Sequence, residues 1–159
     1  NRIRTFLDPS LDPDSYYQTL QSINAIGSGG IKGKGLYSGT LSQLSYLPEP
    51  QNDFIFTVIG EEFGFFGCLW VIFAIGFIVV RILIIAITSD NLFHRLICVG
   101  TAGMIAFQAF VNMGVATGIL PNTGMSLPFV SYGGSAMWTY MTSVGLCLNV
   151  GLKRSKSIF

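Results

Sequence analysis

The sequence predicts an all-α polytopic membrane protein, with three transmembrane helices preceded by a long extracytoplasmic loop that contains short helical pieces. Of its 159 residues, 50% are hydrophobic and only 11% are charged, and the mean hydropathy is +0.57. This composition lies outside the usual range of soluble domains. Residues 1–62 carry four Lys/Arg against seven Asp/Glu, whereas residues 63–159 carry five against one. An acidic, polar first part therefore precedes an apolar, weakly basic second part.

Residues 1–53 contain no apolar run of the roughly 20 residues that a membrane-spanning helix needs. We expect an extracytoplasmic loop here. Apolar residues at helical spacing predict a short helix over residues 16–26, with Ser15 as its N-cap. The glycine-rich segment, residues 27–35, follows with five glycines and two lysines. Such a segment is either a flexible solvated loop or a cradle whose backbone N–H groups and lysines bind an anion.

The apolar part divides into three predicted spans. Residues 63–80 are free of charge for 18 residues, about 27 Å of helix, which approaches the thickness of the hydrocarbon core. Residues 96–152 contain no Asp, Glu, Lys or Arg, and this run is too long for one helix. Pro121 and the Asn-Thr-Gly sequence after it favour a turn that divides the run. The predicted order is a transmembrane helix with an outer extension over 54–88, a cytoplasmic turn over 89–95, a helix over 96–117, an extracytoplasmic hairpin over 118–126, a helix over 127–152 and a cytoplasmic basic tail over 153–159.

The basic residues of the second part set the predicted orientation. In three antiparallel spans, Arg81, Arg95 and the basic tail lie on one side of the membrane, which is cytoplasmic by the positive-inside rule. The loop 1–53 and the hairpin 118–126 then face outward. This orientation argues against cytosolic nucleotides as ligands of the glycine-rich segment.

Asp53 stands where the polar loop meets the first apolar helix. Pro48 and Pro50 restrict the backbone before it, and Asn52 and Asp53 can cap a helix that begins at Phe54. The residues alone leave two interpretations open, a helix cap and a catalytic base at the membrane surface. Glu61, eight residues further on, would lie about 12 Å from Asp53 along a continuous helix, so we do not expect the two carboxylates to act as a pair.

Two other groups have plainer interpretations. Glu61 and Glu62 are either interfacial carboxylates or polar groups that face the bundle. The three cysteines fall within apolar runs at spacings that match neither a metal site nor a disulfide framework, so we expect buried small hydrophobic residues.

Taken in order, these motifs resemble the C-terminal part of the SEDS family, the RodA/FtsW/SpoVE polytopic proteins of bacterial cell-wall synthesis. The stretches that carry the resemblance are Arg4-Thr5-Phe6-Leu7-Asp8-Pro9, Gln21-Ser22 with Ala25-Ile26-Gly27-Ser28-Gly29-Gly30, Gly33-Lys34-Gly35, Leu47-Pro48-Glu49, Asp53-Phe54-Ile55-Phe56, Glu61-Glu62-Phe63-Gly64, Asn112-Met113-Gly114, and Leu120-Pro121 with Ser131-Tyr132-Gly133-Gly134. They cover nearly the whole chain.

The resemblance implies a fragment of a ten-span bundle, made of the large extracellular loop and the last three spans, and we expect the isolated fragment to be inactive. It implies a peptidoglycan glycosyltransferase that polymerises lipid II, with Asp53 in the position of the family's essential loop aspartate. The candidate substrate-binding residues are Lys32, Lys34, Gly29, Gly30, Gln21, Ser22, Glu49, Ser131 and Tyr132. The alternative functions are a lipid II flippase and a membrane scaffold for a transpeptidase.

The same resemblance sets expectations for cofactors, partners and location. A divalent cation, Mg²⁺ or Mn²⁺, is a candidate cofactor with Asp53 as its candidate ligand, and no organic cofactor is expected. The expected partners are lipid II, a class B penicillin-binding protein transpeptidase and membrane lipids, but not nucleic acid. The expected location is the bacterial cytoplasmic membrane, with several crossings, the loop 1–53 outside and the C-terminus in the cytoplasm.

Overall fold

A computed structural model describes residues 13–36 and 54–155, and most of this part of the chain is helical. The helices are α1 (Pro13–Gly29), α2 (Ile55–Ile87), α3 (Leu92–Ala116) and α4 (Gly134–Ser155). The described residues contain no strand, in agreement with the predicted all-α class. Two predicted site residues, Glu49 and Asp53, lie outside them.

Helix α1 is longer than the helix predicted over residues 16–26. It begins at Pro13, because the fixed φ of proline suits the first turn and its missing N–H is not needed there. Ser15 therefore lies inside the helix, and its prediction as the N-cap is wrong. The helix ends at Gly29, and Gly30 follows with a φ of 54°, a left-handed conformation that commonly ends helices.

Helices α2 and α3, of 33 and 25 residues, are the two described helices that are long and apolar enough to cross a membrane. Helix α2 lies within one residue of the predicted bounds at each end. Helix α3 starts earlier than predicted, because the Asn91 side chain accepts a hydrogen bond from the Phe93 N–H at 2.9 Å and caps the helix. His94 and Arg95, which the sequence predicted in a turn, belong to the first turns of α3.

Helix α4 begins at Gly134, so the prediction that the last helix starts at residue 127 is wrong. The backbone of Phe129 has a φ of 64°, which a right-handed helix does not accommodate. The Leu127 N–H donates to the Ser131 hydroxyl at 2.8 Å instead of entering a helical ladder. The helix then continues to Ser155, three residues into the predicted basic tail. A third membrane crossing stays a prediction.

The core is a seam of small and branched side chains between α2, α3 and α4. Along α3 the four residues of this seam, at positions 98, 102, 105 and 109, are spaced by four, three and four residues, which places them on one face of a helix. The buried residues of the seam are Ile75, Ile82 and Ala86 of α2, Cys98, Ala102, Ile105 and Ala109 of α3, and Tyr140, Cys147 and Val150 of α4.

The opposite face of α2 exposes large aromatic side chains. Phe66, Trp70 and Phe73 are 63%, 70% and 64% exposed within this chain. A continuous apolar surface of this kind is unfavourable in water. It suits a surface covered by lipid or by further transmembrane helices.

Candidate functional site at the loop end

An ion pair and side-chain hydrogen bonds between the helices lie at one end of the bundle, which we call the loop end. Helix α1, the glycine-rich segment, the first turns of α2 and the last turns of α3 meet there. The N-cap position of α2 is occupied by Phe54, whose side chain makes no capping hydrogen bond. The helix therefore begins one residue later than predicted, and the predicted caps, Asn52 and Asp53, lie outside the described residues.

Helix α2 is broken at Gly64, which has a φ of 68° and a ψ of −158°. Such a break removes the regular hydrogen bonds across it, so carbonyls before it and amides after it need other partners. In a regular helix the Phe65 N–H would donate to the Glu61 carbonyl. Here it donates to the Gly30 carbonyl at 3.0 Å.

The glycine-rich segment supplies the partners that the broken helix lacks. The Lys34 N–H donates to the Glu61 carbonyl and the Gly35 N–H to the Glu62 carbonyl, both at 3.0 Å. Together with the bond from Phe65 to Gly30, these bonds join the segment to α2 on both sides of the break. The segment thus completes the backbone hydrogen bonding of the apolar helix α2.

Glycine is required where the two backbones meet. A Cβ atom built on Gly29 would lie 2.0 Å from the Gly60 carbonyl oxygen, and one built on Gly33 would lie 2.1 Å from the Glu62 carbonyl oxygen. A Cβ on Gly64 would lie 2.4 Å from the Gly33 nitrogen. These distances are far below van der Waals contact and the neighbouring atoms are backbone. Three of the glycines therefore serve close packing of the segment against α2.

An ion pair reinforces this contact. The Lys34 ammonium nitrogen lies 2.9 Å from Oε1 of Glu61. The Glu61 side chain is fully buried, whereas the Lys34 side chain is 29% exposed. A carboxylate removed from water needs a charged partner and hydrogen bonds, and the lysine provides both. The structure thus places Glu61 inside the bundle, which is one of the two interpretations that the sequence allowed.

Ser22 joins three helices at the same end. Its hydroxyl donates to the Ala116 carbonyl of α3 at 2.7 Å and shares a short hydrogen bond with the Thr57 hydroxyl of α2. Both hydroxyl side chains are fully buried. In this arrangement the Ser22 hydroxyl is closed to a substrate. Gln21 points elsewhere, and its amide donates to the Tyr17 hydroxyl at 2.8 Å at an exposed position.

The connection between α3 and α4 is ordered by polar contacts. The Asn112 amide of α3 donates to the Met125 carbonyl at 2.7 Å. Ser131 is 7% exposed, and its hydroxyl accepts the hydrogen bond from Leu127 described above. Tyr132 beside it is 80% exposed, so a ligand at this surface would meet the tyrosine rather than the serine.

The structure brings together only some of the residues predicted for the site. Gly29, Gly30 and Lys34 lie against the α2 break, and Ser22 lies beside them between the helices. Lys32 is in the same segment with an exposed side chain. Gly64 and Thr57 were not predicted as site residues. The sequence does contain a signal for the ion pair with Glu61. A carboxylate within an apolar helix requires a cationic partner, and the glycine-rich segment carries two lysines.

The described residues contain no group of three His, Cys, Asp or Glu side chains that could hold a metal ion. Asp53, the candidate ligand of a divalent cation, lies outside this part of the chain.

Comparison with known proteins decides the family. The model of the FtsW/RodA/SpoVE family, described as a cell cycle protein, matches residues 1–156. The chain belongs to the FtsW/RodA/SpoVE family. This confirms the resemblance stated above and assigns the apolar helices to a family of membrane proteins.

Relatives within the FtsW/RodA/SpoVE family are similar along nearly the whole chain. A probable peptidoglycan glycosyltransferase FtsW of Geobacter sp. (strain M18) is 44% identical over 96% of this chain and 41% of its own length. Stage V sporulation protein E of Bacillus subtilis is 42% identical over 94% and 41%. The peptidoglycan glycosyltransferase MrdB of Escherichia coli is 42% identical over 99% and 44%. The chain thus spans about two fifths of the length of these relatives.

Solved structures of family members share the fold. One is from a peptidoglycan synthase complex, studied for its coordination of polymerization and crosslinking. It matches with a TM-score of 0.74 and 33% identity, over 96% of this chain and 41% of its own. The other is a mutant of the rod shape-determining protein RodA of Thermus thermophilus. It matches with a TM-score of 0.62 and 36% identity, over 72% of this chain and 40% of its own.

Proposed function

We propose that this chain is the C-terminal part of a peptidoglycan glycosyltransferase that polymerises lipid II at the outer face of the bacterial cytoplasmic membrane. The observation that carries the proposal is the family match over residues 1–156, with relatives named peptidoglycan glycosyltransferase at 44% and 42% identity. The loop end, with its buried ion pair beside a broken transmembrane helix, supports an organised site there. In the proposed membrane orientation, the loop 1–53 lies outside the cell and the C-terminus lies in the cytoplasm.

Asp53 is the proposed general base. The hydroxyl group of the acceptor sugar loses its proton to the Asp53 carboxylate while the hydroxyl oxygen attacks the anomeric carbon of the donor. The bond from that carbon to the pyrophosphate oxygen breaks, and the pyrophosphate leaves on its lipid. A divalent cation, Mg²⁺ or Mn²⁺ with Asp53 as its candidate ligand, would neutralise charge on the pyrophosphate when bound.

The geometry distinguishes the two lysines of the glycine-rich segment as candidate contacts of that pyrophosphate. The Lys34 ammonium is engaged by Glu61 at 2.9 Å, and the N–H groups of Lys34 and Gly35 are engaged by α2 carbonyls. Lys32 has an exposed side chain. We therefore assign the phosphate contact to Lys32, and Tyr132 is the second candidate substrate contact because it is exposed near the start of α4.

The proposed partners follow from the relatives. A class B penicillin-binding protein transpeptidase would crosslink the strands that this enzyme polymerises, and the similar structure from a peptidoglycan synthase complex supports that pairing. Membrane lipids or further helices would cover the exposed aromatic face of α2.

The test uses the full-length protein reconstituted in vesicles with labelled lipid II. A glycosyltransferase lengthens glycan chains, whereas a flippase moves the labelled lipid across the bilayer without lengthening any chain. A scaffold does neither and should tolerate Asp53→Ser, because serine caps helices about as well as aspartate. Lipid movement without polymer would overturn the proposal.

A further inference from the structure

A groove lies between the first turns of α3 and the last turns of α4, at the end of the bundle opposite the loop end. Its volume is about 160 Å³. The side chains that line it come from both helices and are mostly apolar. They are Phe93, His94 and Ile97 of α3 and Leu146, Asn149 and Val150 of α4. The two polar side chains distinguish this groove from a packing gap between apolar helices.

The polar side chains of the groove, His94 and Asn149, have no hydrogen-bond partner within the described part of the chain. Asn149 is exposed and lies six residues, about 9 Å of helix, before the end of α4. Hydrocarbon cannot satisfy a side-chain amide at this depth, so the amide favours a polar partner. Asn149 offers N–H donors, and the imidazole of His94 offers at least one more. The groove therefore presents hydrogen-bond donors to a ligand that carries acceptors.

The helix ends that form the groove carry positive charge. Arg95, beside His94 in the first turn of α3, has an exposed side chain. Lys153 and Arg154 fall in the last turn of α4. Asp90 is the one acidic residue among residues 63–159, against five Lys/Arg. This charge favours a negatively charged ligand over a neutral one.

We propose that the groove is a binding site for one anionic phospholipid. An acyl chain lies along the apolar walls, and the phosphate oxygens accept hydrogen bonds from His94 and Asn149, with Arg95 beside them. Basic pockets between membrane helices bind lipid head groups in this way. Free phosphate would not use the apolar walls, and a neutral phospholipid would not use the positive charge. The inference goes beyond the proposed function and does not depend on it.

The leaflet follows from the proposed membrane orientation. In that orientation the groove opens toward the cytoplasmic leaflet, whose anionic lipids attract clusters of Lys and Arg. The competing occupant is a transmembrane helix from elsewhere in the full-length protein. Such a helix would fill the groove and exclude lipid from it, so a lipid-binding measurement distinguishes the two occupants.

The experiment titrates the purified full-length protein in detergent with phosphatidylglycerol or with phosphatidylcholine of the same acyl chains, and native mass spectrometry measures the Kd of the tightest lipid adduct. We expect phosphatidylglycerol to bind at least about fivefold more tightly than phosphatidylcholine, since each cation near the head group contributes about that factor. Arg95→Gln should weaken phosphatidylglycerol binding by about fivefold and leave phosphatidylcholine binding unchanged. His94→Leu/Asn149→Leu should weaken phosphatidylglycerol binding by at least about fivefold.

A matched pair of variants tests the groove itself. Leu146 and Leu148 are 52% and 56% exposed on the same helix, and of the two only Leu146 lines the groove. Leu146→Trp fills the groove and should weaken phosphatidylglycerol binding by at least about tenfold. Leu148→Trp adds the same ring outside the groove and should leave the Kd within about twofold of the parent.

A photoactivatable phosphatidylglycerol locates the bound lipid. With the reactive group on its acyl chain, it should label peptides that contain residues 93–97 and 146–150, and Leu146→Trp should reduce that labelling. Equal affinity for the two lipids, equal effects of the two tryptophan variants, or no labelling of these peptides would each overturn the inference. None of these measurements requires polymerisation of lipid II, so failure of the proposed function and failure of this site are distinguishable.

Discussion

Replacement of Gly29 by alanine tests whether the glycine-rich segment packs on α2 as described. The new Cβ would lie 2.0 Å from the Gly60 carbonyl oxygen and 2.9 Å from that of Glu61. Both obstacles are backbone atoms, so α1 as a whole must move away from α2. Overpacking of this kind costs about 1–3 kcal/mol. We expect the upper end of that range, because the movement also strains the Lys34–Glu61 ion pair and the bridge made by Ser22.

Gly27→Ala is the matched control, two residues earlier in the same helix. A Cβ on Gly27 meets nothing within 4 Å. Alanine is favoured over glycine inside a helix by about 0.8–1 kcal/mol, so this variant should be slightly more stable than the parent. Thermal unfolding in detergent, followed by circular dichroism, should therefore show opposite changes in Tm. Equal or higher Tm for Gly29→Ala would refute the described contact.

Three further predictions concern buried groups. Ser22→Ala removes hydrogen bonds to two neighbouring helices and should lower the free energy of unfolding by denaturant by about 1–3 kcal/mol. Its control, Ser28→Ala, should change that free energy by no more than about 0.5 kcal/mol. Equal effects of the two variants would contradict the three-helix bridge. Asn112→Ala should lower the free energy of unfolding by about 1–3 kcal/mol and increase protease cleavage of the connection between α3 and α4. Unchanged cleavage would show that the Asn112 side chain does not order this connection. Cys98 and Cys147, both fully buried, should resist N-ethylmaleimide in the native protein and react after SDS denaturation; native labelling at either would contradict their burial.

The helices of the apolar part could be predicted because their signals are compositional. The charge-free run of residues 63–80 predicts the middle of α2, and the predicted bounds of 54–88 lie within one residue of the observed ends. The first residues of α3 and α4 were harder to predict, since each depends on a local feature, a side-chain hydrogen bond in α3 and a backbone conformation in α4. The Asn91 side chain starts α3 early, and the backbone of Phe129 delays α4.

The organisation of the candidate site could be predicted only in part. The glycines and lysines of residues 27–35 are compatible both with an anion-binding site and with a close contact to a helix. The sequence does not show which group lies against this backbone. The structure shows that α2 approaches it, at a break that Gly64 permits. The pairing of Lys34 with Glu61 spans 27 residues, and local spacing carries no information about a contact of that length.

The central claim, that Asp53 is the base of a lipid II polymerase, is tested most directly by one rate. The initial rate of glycan formation from purified lipid II is measured for full-length parent and Asp53→Asn proteins in the same nanodiscs. Asparagine keeps the size and removes the base, so the rate should fall by about 10²–10⁴-fold while Tm and membrane insertion stay unchanged. A folded, inserted Asp53→Asn protein that polymerises lipid II at the parent rate would contradict the claim.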